Sequence, residues 1–473
     1  MTLSELTQKQ TYDDVTISGL ALDSRAIKPG YLFAAFAGEK VDGCDYIESA
    51  LARGASAILA MPGLADMPVP YIQSENPRRT FAKMAARFYG VQPRTIVALT
   101  GTNGKSSTVE FLRQIWAYAG MKAACFGTLG LTSDKGVKPL THTTPNSVAL
   151  HKMLAGLAQD GITHTGMEAS SHGLEQYRLD GVQLAAVGFT NLTQDHLDYH
   201  ADMEDYFKAK ARLFTKLAPK GAPAIINIDG EWGQKMTSIA RAAGLKIISV
   251  GQVGDDIRIA KITPRAASQN INLVWDDIPI NLDVPLAGVF QVYNVVTALA
   301  LAVHTGVLKD IALEAVKHLK GVAGRMEKAG ETKDGAPVFI DFAHTPDGLE
   351  KLLLGLRPHT KRRIAVVFGC GGDRDADKRP KMGAIADKYA DRVIVTDDNP
   401  RSELPSKIRK QVLSGCPSAE EIGDREHAIK HGIFRLEKGD CLVIAGKGHE
   451  SGQIVGDKII PFSDVAIAQK YLS

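Results

Sequence analysis

A run of β-branched residues that meets a glycine-interrupted turn and a lysine constrains the fold of this 473-residue chain most strongly. Residues 95–108 read TIVALTGTNGKSST, which predicts a buried strand over Thr95–Thr100, a tight loop, and a helix from Lys105 through Trp116. Strand, loop and helix in this order are typical of a phosphate-binding loop. The match to G-x-x-x-x-G-K-[ST] is imperfect, because Leu99 occupies the position of the first glycine. The stretch nevertheless predicts a nucleotide triphosphate site.

The loop carries the groups that phosphate and Mg²⁺ require. Backbone N–H groups of Asn103, Gly104 and Lys105 are expected to surround an anion, helped by the positive end of the following helix. The Lys105 ammonium would neutralise the β- and γ-phosphates, and the Ser106 hydroxyl would ligate Mg²⁺. The alternative is a glycine-rich turn that carries a lysine by chance.

Composition excludes several other classes of protein. The 56 basic and 53 acidic residues nearly balance and form no basic run, so we expect no nucleic-acid partner. No uncharged apolar stretch approaches the ~20 residues that cross a bilayer, and the N-terminus lacks the apolar core of a signal peptide. We therefore expect a cytoplasmic protein without membrane insertion. The cysteines are scattered without a C-x-x-C pair, which indicates free thiols and no zinc site.

The alternation of strand and helix patterns predicts an α/β protein of three domains. Residues 1–92 form a small N-terminal α/β domain, residues 93–320 a central P-loop, ATPase-like domain with a parallel sheet, and residues 321–473 a Rossmann-like domain. In the last domain the sequences GCGGDRD, TDDNPR and GKGHE each follow a buried strand. Because ligands bind beyond the carboxyl ends of parallel strands, we expect these three segments to share a site.

Two further segments of the central domain carry candidate metal ligands. Glu168 follows a predicted strand, where a carboxylate can hold Mg²⁺ near a bound phosphate, although a solvated or helix-capping role stays open. His196 and His200 are four residues apart and would share a helix face, although a helix N-terminal turn also explains them. With no cysteine and several carboxylates nearby, Mg²⁺ is favoured over zinc.

A lysine on a predicted helix is the least expected candidate. A helix over Met203–Leu217 would place Tyr206, Lys210 and Leu213 on one face, which turns Lys210 inward. A buried lysine is costly unless it is paired or neutral, and a neutral amine can be carbamylated. Spacing alone does not favour a carbamate here, because most lysines on helices are simply solvated.

The motifs occur in an order that resembles the Mur ligases of peptidoglycan synthesis, and the resemblance spans nearly the whole chain. Each motif is moderately specific, and the ordered set is highly specific. The motifs are LDSR (Leu22–Arg25), GTNGKSS (Gly101–Ser107), TTP (Thr143–Pro145), EASSHGLEQYR (Glu168–Arg178), NLTQDHLDYH, YFKAK, GRME (Gly324–Glu327), DFAHTPD (Asp341–Asp347), GCGGDRD, DDNPR (Asp397–Arg401) and GKGHE (Gly446–Glu450).

The resemblance implies an ATP-dependent, amide-forming ligase. Such an enzyme adds meso-2,6-diaminopimelate to UDP-N-acetylmuramoyl-L-alanyl-D-glutamate through an acyl phosphate, and so serves cell-wall formation, cell shape and division. The resemblance also implies ATP as co-substrate, two Mg²⁺ ions, a CO₂-derived carbamate on Lys210, small-molecule substrates only, and a monomer. The resemblance therefore makes Lys210 a strong candidate for carbamylation, whereas helical spacing alone does not.

Roles for individual residues are also implied by the resemblance. Nucleotide contacts are implied for Gly101, Thr102, Asn103, Gly104, Lys105, Ser106, Ser107, Asn294, Arg325 and Asp341. Catalytic roles are implied for Lys105, Lys210, His196 and His344. Metal ligation is implied for Ser106, Glu168, His196 and the carbamate of Lys210. Contacts to the UDP-sugar dipeptide are implied for Leu22, Ser24, Glu39, Lys40, Val41, His142, Thr143, Thr144, Ser170, Gln176 and Arg178. A diaminopimelate pocket is implied for Arg374, Asp398, Asn399, Pro400, Arg401, Gly446 and Glu450.

The implied pocket makes chemical sense for a substrate with a second amino-acid centre at its far end. Arg401 can form a fork with the far carboxylate, and Glu450 can pair with the far ammonium. Lysine lacks that carboxylate and would leave a desolvated guanidinium unpaired. Two departures from the family pattern are small: Ser106 replaces threonine, and Phe342 replaces tyrosine and puts any role of that hydroxyl in doubt.

Four other functions stay open from the sequence. A lysine-adding homologue is expected to differ at Arg401, and a folylpolyglutamate-type ligase to lack the DDNPR and GKGHE pair. Arg401 and Glu450 argue against a recycling ligase that attaches an intact tripeptide. A nucleotide-switched binding protein would consume ATP without dependence on an acceptor and an amino acid.

Overall fold

The computed structural model describes residues 1–9, 15–38, 41–195 and 199–473. Within these residues the chain forms sheets of four, eleven and six strands, and a two-stranded hairpin. This architecture confirms the α/β class expected from the alternating pattern. No helix in the described ranges is long and apolar enough to cross a membrane.

The N-terminal unit is built on four parallel strands in the order β1-β2-β3-β4. Its last helix begins as predicted, because the Asn76 side chain accepts a hydrogen bond from Arg79 N at 2.9 Å and Pro77 lies in the first turn. The second strand of this unit is short, because only residues 31–34 pair with β3. The elements are α1 (Leu3–Thr7), β1 (Gly19–Ala21), β2 (Tyr31–Ala34), α2 (Ile47–Ala52), β3 (Ala55–Ala60), β4 (Tyr71–Gln73) and α3 (Pro77–Tyr89).

The central unit contains the eleven-stranded sheet, in the order β15-β14-β13-β12-β11-β10-β5-β9-β6-β7-β8. Its elements are β5 (Thr95–Thr100), α4 (Lys105–Tyr118), β6 (Ala123–Gly127), β7 (Gly130–Ser133), β8 (Gly136–Lys138), α5 (Ser147–Gln159), β9 (His164–Glu168), α6 (Ser171–Glu175), β10 (Leu184–Phe189), α7 (Met203–Arg212), β11 (Pro223–Asn227), α8 (Glu231–Ala242), β12 (Lys246–Gly251), β13 (Ile257–Pro264), β14 (Gln269–Trp275), β15 (Ile278–Val284), α9 (Val289–His304) and α10 (Lys309–Val316).

Only the middle of this sheet is parallel. The strands from β13 through β6 pair in parallel, whereas β13-β14-β15 and β6-β7-β8 are antiparallel ribbons at the two sides. The strand–helix alternation expected across residues 93–320 is therefore wrong over residues 257–284. The physical reason is visible in β14, where buried and half-buried residues alternate. A ribbon at the sheet edge covers the core with one face only, so every second side chain is buried.

The C-terminal unit carries six strands in the order β16-β17-β21-β18-β19-β20, all parallel except β16. The carboxyl ends of β17, β18, β19 and β21 lie at one edge, as the sequence predicts. Its elements are β16 (Glu327–Glu331), β17 (Pro337–Asp341), α11 (Pro346–Leu356), β18 (Ile364–Phe368), α12 (Lys378–Tyr389), β19 (Arg392–Val395), α13 (Pro405–Leu413), β20 (Glu420–Glu421), α14 (Arg425–Phe434), β21 (Cys441–Ala445), the hairpin β22 (Gly452–Val455) and β23 (Lys458–Pro461), and α15 (Asp464–Leu472).

Candidate active site

The loop between β5 and α4 requires glycine at two positions. Gly101 has φ 147° and Gly104 has φ 87°, a region that other residues rarely adopt. A Cβ on Gly101 would clash with Thr190 Oγ1, and a Cβ on Gly104 would clash with Asn294 Oδ1. The loop is therefore packed tightly against neighbouring polar groups, which include one from α9.

Lys105 lies over the loop that precedes it. Its Nζ donates to the carbonyl oxygens of Gly101 at 2.9 Å and Thr102 at 2.8 Å. Burial lowers the pKa of Lys105, whereas the charges of Glu168 and Asp195 act in the opposite direction. The arrangement places a cation and the N-terminus of α4, with the buried Ser106 in its first turn, at one end of the sheet.

Glu168 ends strand β9 beside this loop. The parallel register pairs Glu168 with Leu99 of β5, so the carboxylate is at the same edge as the loop. The side chain is 1% exposed and accepts hydrogen bonds from Thr128 N at 2.9 Å and Thr128 Oγ1 at 3.2 Å. Its only recorded partners within the described residues lie on Thr128, so Glu168 is neither solvated nor a helix cap.

Lys210 is turned inward, as the helix pattern predicts. It is 1% exposed, and its Nζ donates to Gly101 O at 2.9 Å, the carbonyl that Lys105 also contacts. Its Nζ also lies 4.2 Å from the centre of the Tyr206 ring. Burial, together with the charge of Lys105, holds the pKa of Lys210 well below its usual range. A lowered pKa increases the fraction of the neutral amine, which is the form that reacts with CO₂.

The histidine pair is described only in part. His196 lies outside the described residues, so its predicted role stays a prediction. His200 is buried and precedes α7, and its Nδ1 lies 3.3 Å from Asp205 Oδ2. No group of three His, Cys, Asp or Glu side chains that could hold a metal occurs among the residues the structure describes. Ser106 and Glu168 are the described oxygen donors that the family resemblance implies as metal ligands, and a carbamate on Lys210 would add to them.

Residues from the central and C-terminal units continue the nucleotide site. Asn294 Nδ2 donates to Gln291 Oε1 at 2.8 Å. Asp341 accepts hydrogen bonds from Met326 N and Ala343 N, both at 2.8 Å, and burial raises the pKa of its carboxyl although Arg325 acts against the rise.

Phe342 has a clear structural role despite its lack of a hydroxyl. The Arg325 guanidinium lies 4.7 Å from the centre of the Phe342 ring, a cation–π contact. Arg325 Nε is buried and has no hydrogen-bond partner within the described residues. His344 Nδ1 lies 2.9 Å from Phe342 O, and the His344 side chain is exposed. Arg325 thus presents an unsatisfied donor, which suits an anionic ligand.

One contact between units was missed by the sequence reasoning. Asp347 Oδ2, on α11, accepts hydrogen bonds from Asn103 Nδ2 at 3.1 Å, Thr193 Oγ1 at 3.0 Å and Lys351 Nζ at 2.8 Å. The C-terminal unit therefore contacts the loop directly. Asp347 lies inside the DFAHTPD motif, but nothing local in the sequence shows which residue it faces.

The residues implied for the dipeptide lie together around the end of β9. Thr144 Oγ1 donates to Glu168 O at 3.0 Å and accepts from Ser170 N at 3.1 Å. Arg178 Nη1 donates to Thr144 O at 2.6 Å, and Arg178 Nη2 donates to Gln176 Oε1 at 2.7 Å. This cluster is therefore continuous with the candidate metal ligand.

The implied uridine contacts are less well defined. Ser24 is buried, Val41 is 57% exposed, and Leu22 packs against the core of the N-terminal unit. His142 is exposed, and Thr143 Oγ1 lies 3.1 Å from Thr128 Oγ1. No recorded contact joins Leu22, Ser24 or Val41 to the loop within the described ranges, and Glu39 and Lys40 fall outside those ranges.

The carboxyl edge of the C-terminal sheet carries a network of charged groups. Asn399 Nδ2 donates to Glu450 Oε2 at 2.9 Å, and Lys447 Nζ donates to Asn399 Oδ1 at 2.9 Å and Glu450 Oε2 at 3.1 Å. Lys447 is fully buried and was not singled out from the sequence, although it stands in GKGHE. Asp398 is buried, which raises its pKa, and a Cβ at Gly446 would lie 2.6 Å from Asp398 Oδ2.

Arg401 is adjacent to that network. Its Nη1 donates to Gly372 O at 2.7 Å, and this is the one hydrogen bond its guanidinium makes within the described part of the chain. Arg374 Nη1 donates to Asp373 O at 3.1 Å. The Pro400 carbonyl lies where a side chain at Gly372 would stand. The Nε and Nη2 groups of Arg401 are therefore available to a bound carboxylate.

Comparisons with known proteins agree along the whole chain. Family models of the Mur ligase family catalytic domain, the Mur ligase middle domain and the Mur ligase glutamate ligase domain match residues 16–89, 99–302 and 324–448. A UDP-N-acetylmuramoyl-L-alanyl-D-glutamate–2,6-diaminopimelate ligase from Chelativorans sp. (strain BNC1) is 50% identical over 95% of this chain and 94% of its own length.

Two solved structures extend the comparison. A structure of a UDP-N-acetylmuramoyl-L-alanyl-D-glutamate–2,6-diaminopimelate ligase has a TM-score of 0.76 and 33% identity, and covers 100% of this chain and 98% of its own. The MurF ligase from Thermotoga maritima in complex with ADP has a TM-score of 0.65 and 18% identity, covering 97% of this chain and 99% of its own. The second likeness shows a shared fold.

Proposed function

Because the chain belongs to the Mur ligase family, we propose that it joins meso-2,6-diaminopimelate to UDP-N-acetylmuramoyl-L-alanyl-D-glutamate at the expense of ATP. The observation that carries the proposal is the likeness to a ligase of that specificity along almost the entire chain. The reaction would supply a precursor of peptidoglycan. We infer a cytoplasmic protein, since ATP and nucleotide-linked precursors are cytoplasmic, and propose a monomer on the family resemblance alone.

Each unit takes one substrate in this proposal. Residues 1–92 would hold the uridine end of the sugar nucleotide, residues 93–320 would bind ATP, and residues 321–473 would deliver the amino acid. The contact of Asp347 with Asn103 supports a C-terminal unit that meets the phosphate loop. Arg325, with its buried and unpartnered Nε, would reach the nucleotide from the C-terminal side of the cleft.

The first step is an attack on ATP. The γ-carboxylate of D-glutamate attacks the γ-phosphorus, the bond to the β-bridging oxygen breaks, and an acyl phosphate and ADP form. Two anions must approach each other, so positive charge is the main requirement. Lys105 would supply it beside the N-terminus of α4, while the Gly101–Gly104 backbone orients the phosphates.

Mg²⁺ fits the donors that are present. Ser106 and Glu168 offer a hydroxyl and a buried carboxylate, and the inward amine of Lys210 is suited to carbamate formation by its low pKa. Bound Mg²⁺ would neutralise the phosphate oxygens and hold the reacting groups in line. His196 is proposed as a further ligand on the family resemblance alone.

The second step forms the amide. The amine of diaminopimelate attacks the acyl carbon, a tetrahedral intermediate collapses with loss of phosphate, and the nitrogen gives up a proton. Arg401 would hold the far carboxylate through Nε and Nη2, and the Asn399–Glu450–Lys447 network would face the far ammonium. Arg374, Asp398 and Gly446 would complete the pocket, and His344 would stay near the reacting phosphate.

Phosphate release by the purified protein tests the proposal. We expect release only when ATP, Mg²⁺, UDP-N-acetylmuramoyl-L-alanyl-D-glutamate and meso-diaminopimelate are all present. Release with L-lysine in place of diaminopimelate would keep the reaction and overturn the assignment of Arg401. Release that needs neither acceptor nor amino acid would instead identify a nucleotide-switched ATPase.

A further inference from the structure

An ion pair between a buried arginine and a half-buried glutamate lies beside the candidate amino-acid pocket. Arg379, on α12, is 1% exposed, and it donates from Nη1 to Glu403 Oε2 at 2.9 Å and from Nη2 to Glu403 Oε1 at 2.7 Å. The same guanidinium donates to Gly371 O at 3.0 Å and to Gln411 Oε1 at 2.6 Å. One arginine therefore contacts the loop after β18, the loop after β19 and helix α13.

Glu403 extends this connection to the tip of the first loop. Its Oε1 also accepts a hydrogen bond from Asp373 N at 2.6 Å. The Arg379 guanidinium lowers the pKa of Glu403 to about 2, so the carboxylate is charged throughout the neutral range. The pair is thus a permanent, two-pronged contact between charged groups.

The two joined loops hold Arg401 in an unfavourable backbone conformation. Asp373 has φ 52° and Arg401 has φ 51°, in the left-handed region that non-glycine residues seldom occupy. Ser402 donates from its backbone N and its Oγ to the Asp373 carboxylate, at 3.1 Å and 2.7 Å. Gly372 N donates to Asn399 O at 2.9 Å, and Arg401 Nη1 donates to Gly372 O.

These contacts form a chain from Arg379 to the Arg401 guanidinium. Arg379 donates hydrogen bonds to Glu403 and to the Gly371 carbonyl, and Glu403 accepts one from Asp373 N. The Gly372 carbonyl between them accepts the hydrogen bond from Arg401 Nη1. The buried Arg379 is not needed to fill space, because apolar residues in place of a buried ion pair are often at least as stable. Its geometry, however, restricts the direction in which the remaining Arg401 donors point.

We propose that Arg379 and Glu403 are positioning residues that orient Arg401 toward the far carboxylate of the amino-acid substrate and so set the preference for diaminopimelate over lysine. The inference rests on the proposed function. Neither residue touches the substrate in this account. Their effect passes through the Gly371–Arg374 loop to the guanidinium that does.

The Glu403→Gln variant tests the inference, because it keeps the size of the side chain and one acceptor oxygen but removes the charge. We expect the KM for diaminopimelate to rise about tenfold and the KM for ATP to stay within about twofold, since misplacing one binding group affects only the ligand it holds. The ratio of kcat/KM for diaminopimelate to that for L-lysine should fall about tenfold. Arg379→Lys, which keeps the charge and loses the planar fork, should act in the same direction.

Asp440→Asn is the matched control. Asp440 is also buried and ion-paired with an arginine of the same unit, Arg363, but it lies just before β21, at the opposite edge of the sheet. The control should leave the substrate preference unchanged even where it lowers thermal stability.

Three results would overturn the inference. The first is an unchanged preference in folded Glu403→Gln, and the second is a loss of kcat with both KM values and the preference unchanged. The third is an equal loss of preference in Asp440→Asn. Absence of diaminopimelate-dependent turnover in the unmodified enzyme would instead refute the proposed function, so the two failures are distinguishable.

Discussion

Substitution of Lys210 by methionine tests whether the buried amine acts in catalysis or only fills space. Methionine is unbranched and of similar length, so it can occupy the same space beside the Tyr206 ring. The variant loses the hydrogen bond to Gly101 O, which is worth about 0.5–1.5 kcal/mol. It also removes the cost of a buried amine beside Lys105, which acts in the opposite direction.

We therefore expect the free energy of unfolding of Lys210→Met to stay within about 1 kcal/mol of the unmodified protein. For a domain of 150–250 residues this corresponds to a change in Tm of about 2–4 °C. Turnover should fall at least 10²–10³-fold, the range seen when one group that stabilises transition-state charge is removed. The expected loss of turnover is thus far larger than the expected change in the free energy of unfolding.

Phosphate release with all substrates present, together with thermal unfolding followed by circular dichroism, measures both quantities. Lys208→Met is the matched control, because Lys208 is exposed on the same helix and its loss should leave turnover unchanged. If Lys210→Met folds normally and retains turnover within tenfold of the unmodified enzyme, the catalytic role assigned to this lysine is refuted.

Two further predictions concern Arg401 and His151. Arg401→Lys keeps the charge but loses the fork, so kcat/KM for diaminopimelate should fall about 10–100-fold while the KM for ATP changes less than about twofold; equal effects in steady-state kinetics would mean that the pocket is misplaced. Burial lowers the pKa of His151 from 6.5 to about 4. At a pH between these two pKa values, the unfolded chain therefore binds a proton that the native state does not bind. Stability should therefore fall as the pH drops from 6.5 toward 4, with a contribution from this residue of up to about 3 kcal/mol at ~1.4 kcal/mol per unit. His151→Asn should flatten that slope in urea unfolding at pH 7 and pH 5, and an unchanged slope would contradict the assignment.

Local sequence patterns predict the loop and its setting well. The β-branched run and the glycines predict β5, the turn and α4, because each depends on neighbours in the chain. The position of Glu168 beside the loop follows from the meeting of parallel strand ends at one edge. The inward direction of Lys210 follows from helical periodicity and is confirmed by its burial.

The sequence does not predict the contacts between distant segments of the chain. Asp347 meets Asn103 across two units, and Lys447 meets Asn399 across two strands, and neither pairing has a local pattern. The antiparallel ribbon over residues 257–284 does have a local pattern, which is the alternation within β14. The expectation of a parallel sheet does not take this alternation into account. The domain boundaries and the roles of the individual site residues stay predictions.

The specificity of the second step is tested most directly by a competition between amino acids. The purified protein is given ATP, Mg²⁺, UDP-N-acetylmuramoyl-L-alanyl-D-glutamate, and meso-diaminopimelate and L-lysine in equal amounts, and the nucleotide product is identified by its mass. We expect a product heavier than the acceptor by one diaminopimelate residue, with no lysine adduct above a small fraction of it. A lysine adduct as the main product, or an unchanged acceptor, would contradict the account.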